Sequence, residues 1–272
     1  MTEGEWVTAW RPDVPGVREA LQARFRTHAY PPHVHTGWTI LEVEEGVVEY
    51  RIDGRSRTAA PGAVTVLPPG VAHDGQAGRG APFKKRALYL DAPVLSDDHV
   101  GLAVDGGAIP DRSLRLLLGR AFAALADPRE ALAAEEAVAT MLSRLDAVLA
   151  PGGGPPPPGW SSHALAEDAR ARLDRSIRSG VPLATIAGSL GVSRAHLIRR
   201  FRATFGVTPH AYVIGRRVEL ARQRLLDGVP VATAAVDAGF FDQSHLTRHF
   251  VRHVGVTPGV YRTSRKARVQ AT

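Results

Sequence analysis

Two groups of residues in this 272-residue chain have the types and spacing of working chemistry. The first is built on histidine: His33-Val34-His35, and a later His73 that closes the pattern Gly62-x5-Pro68-x-Gly70-x2-His73. Alternate residues of a strand share a face, so His33 and His35 project together. A third imidazole on a neighbouring strand could complete a donor set for zinc or nickel. The second group is built on arginine. Leu197 and Phe201 fall on one helical face, while Arg194, Ile198, Arg199 and Arg202 fall largely elsewhere. Around Leu246 and Phe250, the outer positions belong to Gln243, Ser244, His245 and Arg248. An apolar inner face backed by arginine and amide side chains suits the major groove, where these groups pair with base edges and phosphates.

Both arginine-bearing segments sit in the same local frame. Leu183, Ile186, Ala187 and Leu190 make a short one-faced helix, Gly191-Val192 a tight turn, and Ser193 an N-cap for the next helix. The frame recurs: Val231 to Ala238 is a short helix, Gly239-Phe240 begins the turn, and Asp242 can cap the last reading helix. Between the units, Ala211 to Leu226 forms a connecting helix with Arg216, Arg217, Arg222 and Arg224. A rigid connector can seat two reading helices in successive groove segments about 34 Å apart. Helices are expected at 163–179, 183–190, 194–205, 209–226, 231–238 and 243–254, punctuated by glycines.

Charge divides the chain at the same place. Residues 161–272 hold 18 Lys and Arg against 7 Asp and Glu, whereas residues 1–160 hold 16 against 20. A basic module on a mildly acidic one points to a polyanion partner for the basic half. The boundary is Pro151-Gly-Gly-Gly-Pro-Pro-Pro-Pro-Gly159, an extended spacer by composition. Cysteine is absent, which excludes disulfides, thiolate catalysis and cysteine-ligated metal and fits a reducing compartment. No apolar run reaches membrane-spanning length, and the first residues lack a basic stretch ahead of an apolar one. A cytoplasmic protein without membrane association is therefore expected.

Before the spacer, residues 38–90 read as β. Val48, Tyr50 and Ile52 alternate with Glu49 and Arg51, Asp53-Gly54 signals a hairpin, and Ala63 to Leu67 and Phe83 to Leu90 look like further strands. Residues 112–149 switch to helical period. One stripe is Leu114, Leu117, Leu118, Ala121 and Leu125; the other is Val138, Met141, Leu142, Leu145 and Leu149. Such helices either cover the β module or join two copies of the chain, and a dimer interface is the expectation carried forward.

The sequence Leu183-Ala-Thr-Ile-Ala-Gly-Ser-Leu-Gly-Val-Ser-Arg-Ala-His-Leu-Ile-Arg-Arg-Phe201, with Phe205-Gly-Val-Thr-Pro-His-Ala-Tyr212, resembles the AraC/XylS family of bacterial transcription activators. So do Ala238-Gly-Phe-Phe-Asp-Gln-Ser-His-Leu-Thr-Arg-His-Phe250 and Gly255-Val-Thr-Pro-Gly-Val-Tyr-Arg262. The resemblance implies base-facing places at Ala195, Ile198 and Arg199, and at Gln243, Ser244, His245 and Arg248, with Arg194 and Arg202 beside them. Ile198 is apolar where the family often has a polar reader; facing DNA it would meet a thymine methyl, and otherwise it packs inside. The histidine pattern resembles the cupin barrel that serves as sensor in such regulators, although Thr39 stands where metal-binding cupins place a glutamate. That resemblance leaves three readings of His33, His35 and His73: a metal-free effector pocket with Tyr30 and Trp38, a metal site, or structural histidines. The first is carried forward, with no cofactor.

The expected architecture is multidomain α and β. Residues 1–110 form a cupin-like effector-sensing β-barrel, 111–150 the amphipathic helices and 151–160 the linker. An all-α DNA-binding domain with two helix-turn-helix units follows at 161–264, and a basic tail at 265–272. The expected function is sequence-specific transcription regulation by a homodimer that answers to a small-molecule effector and contacts double-stranded promoter DNA and RNA polymerase. The rivals are a metal-dependent cupin enzyme fused to a DNA-binding domain and a charge-driven nucleoid or RNA-binding protein.

Overall fold

A computed structural model of the chain describes residues 4–149 and 164–264. The expected linker at 151–160 and the tail at 265–272 lie outside the described residues. The first part opens with strands β1 (Trp6–Trp10), β2 (Val17–Phe25), β3 (Ala29–His33), β4 (Thr39–Glu45) and β5 (Val48–Ile52). Strands β6 (Arg55–Ala59), β7 (Val64–Leu67), β8 (His73–Ala77) and β9 (Phe83–Leu90) follow. Helix α1 (His99–Gly106) and a short β10 (Ala108–Ile109) lead into α2 (Arg112–Leu125) and α3 (Ala131–Leu149). The strands form two antiparallel sheets, one ordered β1-β2-β9-β4-β7-β10 and the other β3-β8-β5-β6. The β5–β6 hairpin turns on Asp53 and Gly54, both with positive φ (48° and 73°), the left-handed pair of a two-residue hairpin loop.

Helices α2 and α3 pack on this β module. Leu114, Leu118, Ala121, Leu125, Val138, Met141, Leu145 and Leu149 are buried in the same apolar core as the strands, with Leu117 and Leu142 half-buried against it. The stripes carried forward as a dimer interface are buried within the chain, the alternative in which these helices cover the β module. Glu42 on β4 accepts hydrogen bonds from Arg86 on β9 (2.9 and 2.6 Å) and from Arg115 on α2 (3.0 Å), which ties the helix to the sheet.

The second part is all helix: α4 (Ala164–Arg175), α5 (Leu183–Ser189), α6 (Arg194–Phe205), α7 (Pro209–Leu226), α8 (Val231–Asp237), α9 (Gln243–Val254) and α10 (Pro258–Thr263). Two differences from the sequence reading stand out. Helix α4 ends at Arg175 instead of 179, because the Ser176 N–H divides between the Arg172 and Leu173 carbonyls and tightens the last turn. Helix α10 was not expected; Thr257 caps it by accepting from the Val260 N–H, and Pro258 starts its first turn.

The two parts are packed together. Helices α7, α8, α9 and α10 share the large core cluster with the strands, while α4, α5 and α6 build a second cluster that also takes in Val34. Glu19 on β2 and Arg222 on α7 form a buried ion pair across this interface at 2.5 Å.

Candidate functional site

The two helix-turn-helix units turn the same kind of surface outward. Ser193 accepts from the His196 N–H (3.2 Å) and Asp242 from the His245 N–H (2.7 Å), so both reading helices start on the expected caps. Leu197, Phe201, Leu246 and Phe250 are fully buried. Arg194, Ala195, Arg199, Arg202, Gln243, Ser244 and Arg248 are exposed, while Ile198 and His245 are half-buried. Ile198 belongs to neither apolar cluster. Arg194, Arg199, Arg202 and Arg248 make no ion pair among the described residues, so their guanidinium groups remain available to an outside anion.

The arginines of the connecting helix are different. Arg216 pairs with Glu219 and with Asp174 (3.4 Å), Arg217 donates to the Ile177 carbonyl (2.8 Å), and Arg224 pairs with Asp237 (2.5 Å). With Arg222 held by Glu19, all four positive charges on α7 have partners inside the protein.

The histidines meet inside the β module, against α7 and α9. A cavity between the two sheets is lined by Tyr30, His33, His35, Thr39, Tyr50, His73, Lys85 and Tyr89, and is closed by Glu219 and Arg222 of α7 and His253 of α9. The ring centroids of His33 and His73 are 4.4 Å apart, those of His33 and His35 4.8 Å, and those of His35 and His73 4.9 Å. Strand β3 ends at His33, so His35 sits between β3 and β4, yet both rings face the cavity. Burial holds all three imidazoles neutral. It lowers His73 to about 4 and puts His33 and His35 well below the ordinary 6.5, with the neighbouring imidazoles adding to the shift for the latter two.

Trp38 is corrected. It is fully buried with its indole N–H on the Ala92 carbonyl (3.1 Å) and lies outside the cavity lining, because Thr39 and Leu41 are the β4 residues that point inward. Sequence reasoning missed Lys85, whose ammonium lies 4.2 Å from the Tyr30 ring centroid and whose pKa burial lowers to about 7. It also missed Tyr89, Arg222 and His253. A signal existed for two of these: Phe83, Lys85, Ala87 and Tyr89 share one parity of β9, so a lysine was written at an inward position.

Two family models match this arrangement, an AraC-like ligand binding domain over residues 15–142 and a helix-turn-helix domain over residues 162–264. The chain belongs to the AraC family of transcription regulators. Its relatives include the transcriptional activator NphR of Rhodococcus sp, 28% identical over 247 residues that span 83% of this chain and 70% of NphR. Among solved structures, ToxT from Vibrio cholerae O395 superposes with a TM-score of 0.58 at 11% identity, covering 96% of this chain and 97% of ToxT. An unsaturated fatty acid-bound ToxT from Vibrio cholerae strain SCE256 gives 0.55 at 14% identity, covering 96% of this chain and 95% of ToxT. At these identities the likeness is one of fold: a two-sheet ligand-binding domain joined to a helical DNA-binding domain. Among the described residues, no helix of this regulator is long and apolar enough to cross a membrane.

Proposed function

We propose that this AraC-family regulator recognises a promoter sequence through α6 and α9, and that a small molecule held in the barrel cavity sets how well it does so. Base edges are contacted by Ala195, Ile198 and Arg199 from the first unit and by Gln243, Ser244, His245 and Arg248 from the second, while Arg194 and Arg202 hold phosphates. The 18 residues of α7 span about 27 Å, a distance compatible with reading helices in neighbouring groove segments. The effector is held by Tyr30, His33, His35 and His73. The single observation that carries the reading is the construction of the cavity: barrel strands form its walls, and α7 and α9, the connector and a reading helix, form its lid. A ligand there touches both domains, so differential affinity for two arrangements of the lid is sufficient to shift DNA binding.

The same reading places the protein in the cytoplasm as a non-catalytic homodimeric activator that contacts RNA polymerase. Supporting the dimer, Leu116 and Leu132 remain exposed on α2 and α3 after the stripes have been buried. ToxT was solved with an unsaturated fatty acid; the cavity here is walled largely by apolar side chains, with its imidazoles, tyrosines and Lys85 placed to hydrogen-bond a polar group of the ligand. The test is selection of random duplexes by the purified full-length chain at physiological salt. A reproducible motif that Arg199→Ala alters at one position supports the reading. Uniform binding to every duplex refutes it.

A further inference from the structure

The two helix-turn-helix units are built alike as far as the turn and differ in its length. In the first, the Gly191 N–H donates to the Gly188 carbonyl (3.1 Å) and the Val192 N–H to the Ala187 carbonyl (3.0 Å). In the second, the Gly239 N–H donates to the Val236 carbonyl (2.9 Å) and the Phe240 N–H to the Ala235 carbonyl (2.9 Å). Gly191 and Gly239, both with positive φ (67° and 87°), therefore occupy equivalent places, and so do Val192 and Phe240. Both of the latter turn inward: Val192 packs on the apolar cluster of its unit, and Phe240 is buried. From there the first unit passes directly to its cap, Ser193, whereas the second has one more residue before its cap, Asp242. That residue is Phe241. It has no counterpart in the first unit, and it is 89% exposed.

The place of Phe241 is fixed through His245. The Phe241 N–H donates to His245 Nδ1 (3.4 Å), and the Asp242 carboxylate accepts from the His245 backbone N–H (2.7 Å). The His245 ring stands edge-on to Phe240, with centroids 5.2 Å apart, and 5.0 Å from the ring of His249. An imidazole that accepts at Nδ1 carries its proton on Nε2, so His245 offers a donor. With Gln243 and Ser244 it makes the first turn of α9 polar, and Phe241 sets an aromatic ring directly beside that turn. A single exposed apolar residue means little by itself; position decides here. A reading helix meets base edges with its N-terminal residues, so Phe241 enters the major groove with them. The apolar feature of a base edge in that groove is the thymine C5-methyl, which a phenyl ring can cover.

We propose that Phe241 is a specificity-determining residue of the second unit, its ring covering the C5-methyl of one thymine next to the base pairs met by the polar side chains of α9. The inference rests on the reading of a promoter through α6 and α9 and adds a contact to it. The longer turn gives the second unit an apolar reader outside the helix itself, at a place where the first unit has none.

The experiment uses the full-length protein and the duplex it selects. Each thymine of the motif is replaced in turn by deoxyuridine, which removes only the methyl group. Affinity is measured for wild type, Phe241→Ala, Phe241→Leu and Val236→Ser; Val236 is also exposed but lies on α8, ahead of the turn. Wild type should lose about fourfold at the thymine under Phe241, the worth of one buried methyl group. Phe241→Ala should bind the thymine duplex more weakly by a similar factor and lose nothing further from deoxyuridine at that position. Phe241→Leu should keep part of the sensitivity, and Val236→Ser should behave as wild type. All variants should keep the wild-type circular dichroism spectrum, because neither side chain is buried. A selected motif without an invariant thymine overturns the inference, as do deoxyuridine losses that are the same in wild type and Phe241→Ala; both leave the regulator reading standing. Wild-type DNA affinity of Phe241→Ala with reduced transcription in vitro makes the ring a protein contact and overturns it as well. Failure to select any motif overturns the regulator reading and this inference with it.

Discussion

Replacing Glu19 by glutamine should loosen the joint between sensor and DNA-binding domain. Glu19 is 4% exposed and Arg222 8%. The guanidinium donates to the Glu19 carboxylate at 2.5 Å and to the Tyr261 hydroxyl at 3.2 Å, and it lies over the Tyr89 ring, 4.2 Å from its centroid. Removing the carboxylate charge leaves a buried cation with only neutral partners, a change that costs about 3–5 kcal/mol. Glu19 is on β2 and Arg222 on α7, so the loss falls on the interface between the two parts. Urea denaturation of full-length protein should show the stability loss, and the double variant Glu19→Gln/Arg222→Met should recover most of it by removing the stranded charge. A loss under about 1 kcal/mol for the single variant, the range of an exposed pair, would refute the reasoning. So would a double variant no better than the single one.

Three further outcomes are expected. Arg199→Ala should weaken binding to the selected duplex by about 1–3 kcal/mol and relax one base position, measured by fluorescence anisotropy; an equal loss on every sequence would reassign Arg199 to phosphate. Acid should destabilise the fold. His73 takes its proton near 6.5 when unfolded but only near 4 when folded, so stability is full above pH 6.5 and falls as pH drops towards 4. This one group accounts for about 3 kcal/mol, and a urea midpoint flat between pH 6.5 and 4.5 would contradict it. Gly255→Ala should cost more than the ~1 kcal/mol of a left-handed alanine, because φ there is 90° and the new methyl would lie 2.3 Å from the Phe25 ring. The excess should appear in the full chain and vanish when Phe25→Ala makes room.

The DNA-reading half was legible because its determinants are local. Ser193 and Asp242 announce their helices as caps, and the spacing of Leu197, Phe201, Leu246 and Phe250 fixes the inner faces without any knowledge of the rest. The histidine cluster was half legible: spacing put His33 and His35 on one side, but only the β3–β8 pairing brings His73 opposite His33. The features that stayed hidden are non-local. Nothing near Trp38 says that Ala92 takes its N–H, nothing near Leu114 or Met141 says which surface they cover, and Glu19 and Arg222 find each other across 203 residues. Strands β1, β2 and β3 were missed, and β10 with its two residues carries no periodicity at all.

The engagement of the connecting helix changes what the chain's electrostatics mean on a promoter. Its four arginines contribute to the bulk charge of the basic half, yet Arg216, Arg222 and Arg224 are paired with carboxylates and Arg217 is held on a carbonyl, so they are less free to displace condensed ions from a phosphate backbone. Counterion release is therefore left to the basic side chains outside α7, those of α6 and α9 among them. The logarithmic dependence of affinity on salt should be correspondingly shallow, and selectivity should rest more on groove contacts than on the pull of a cationic surface.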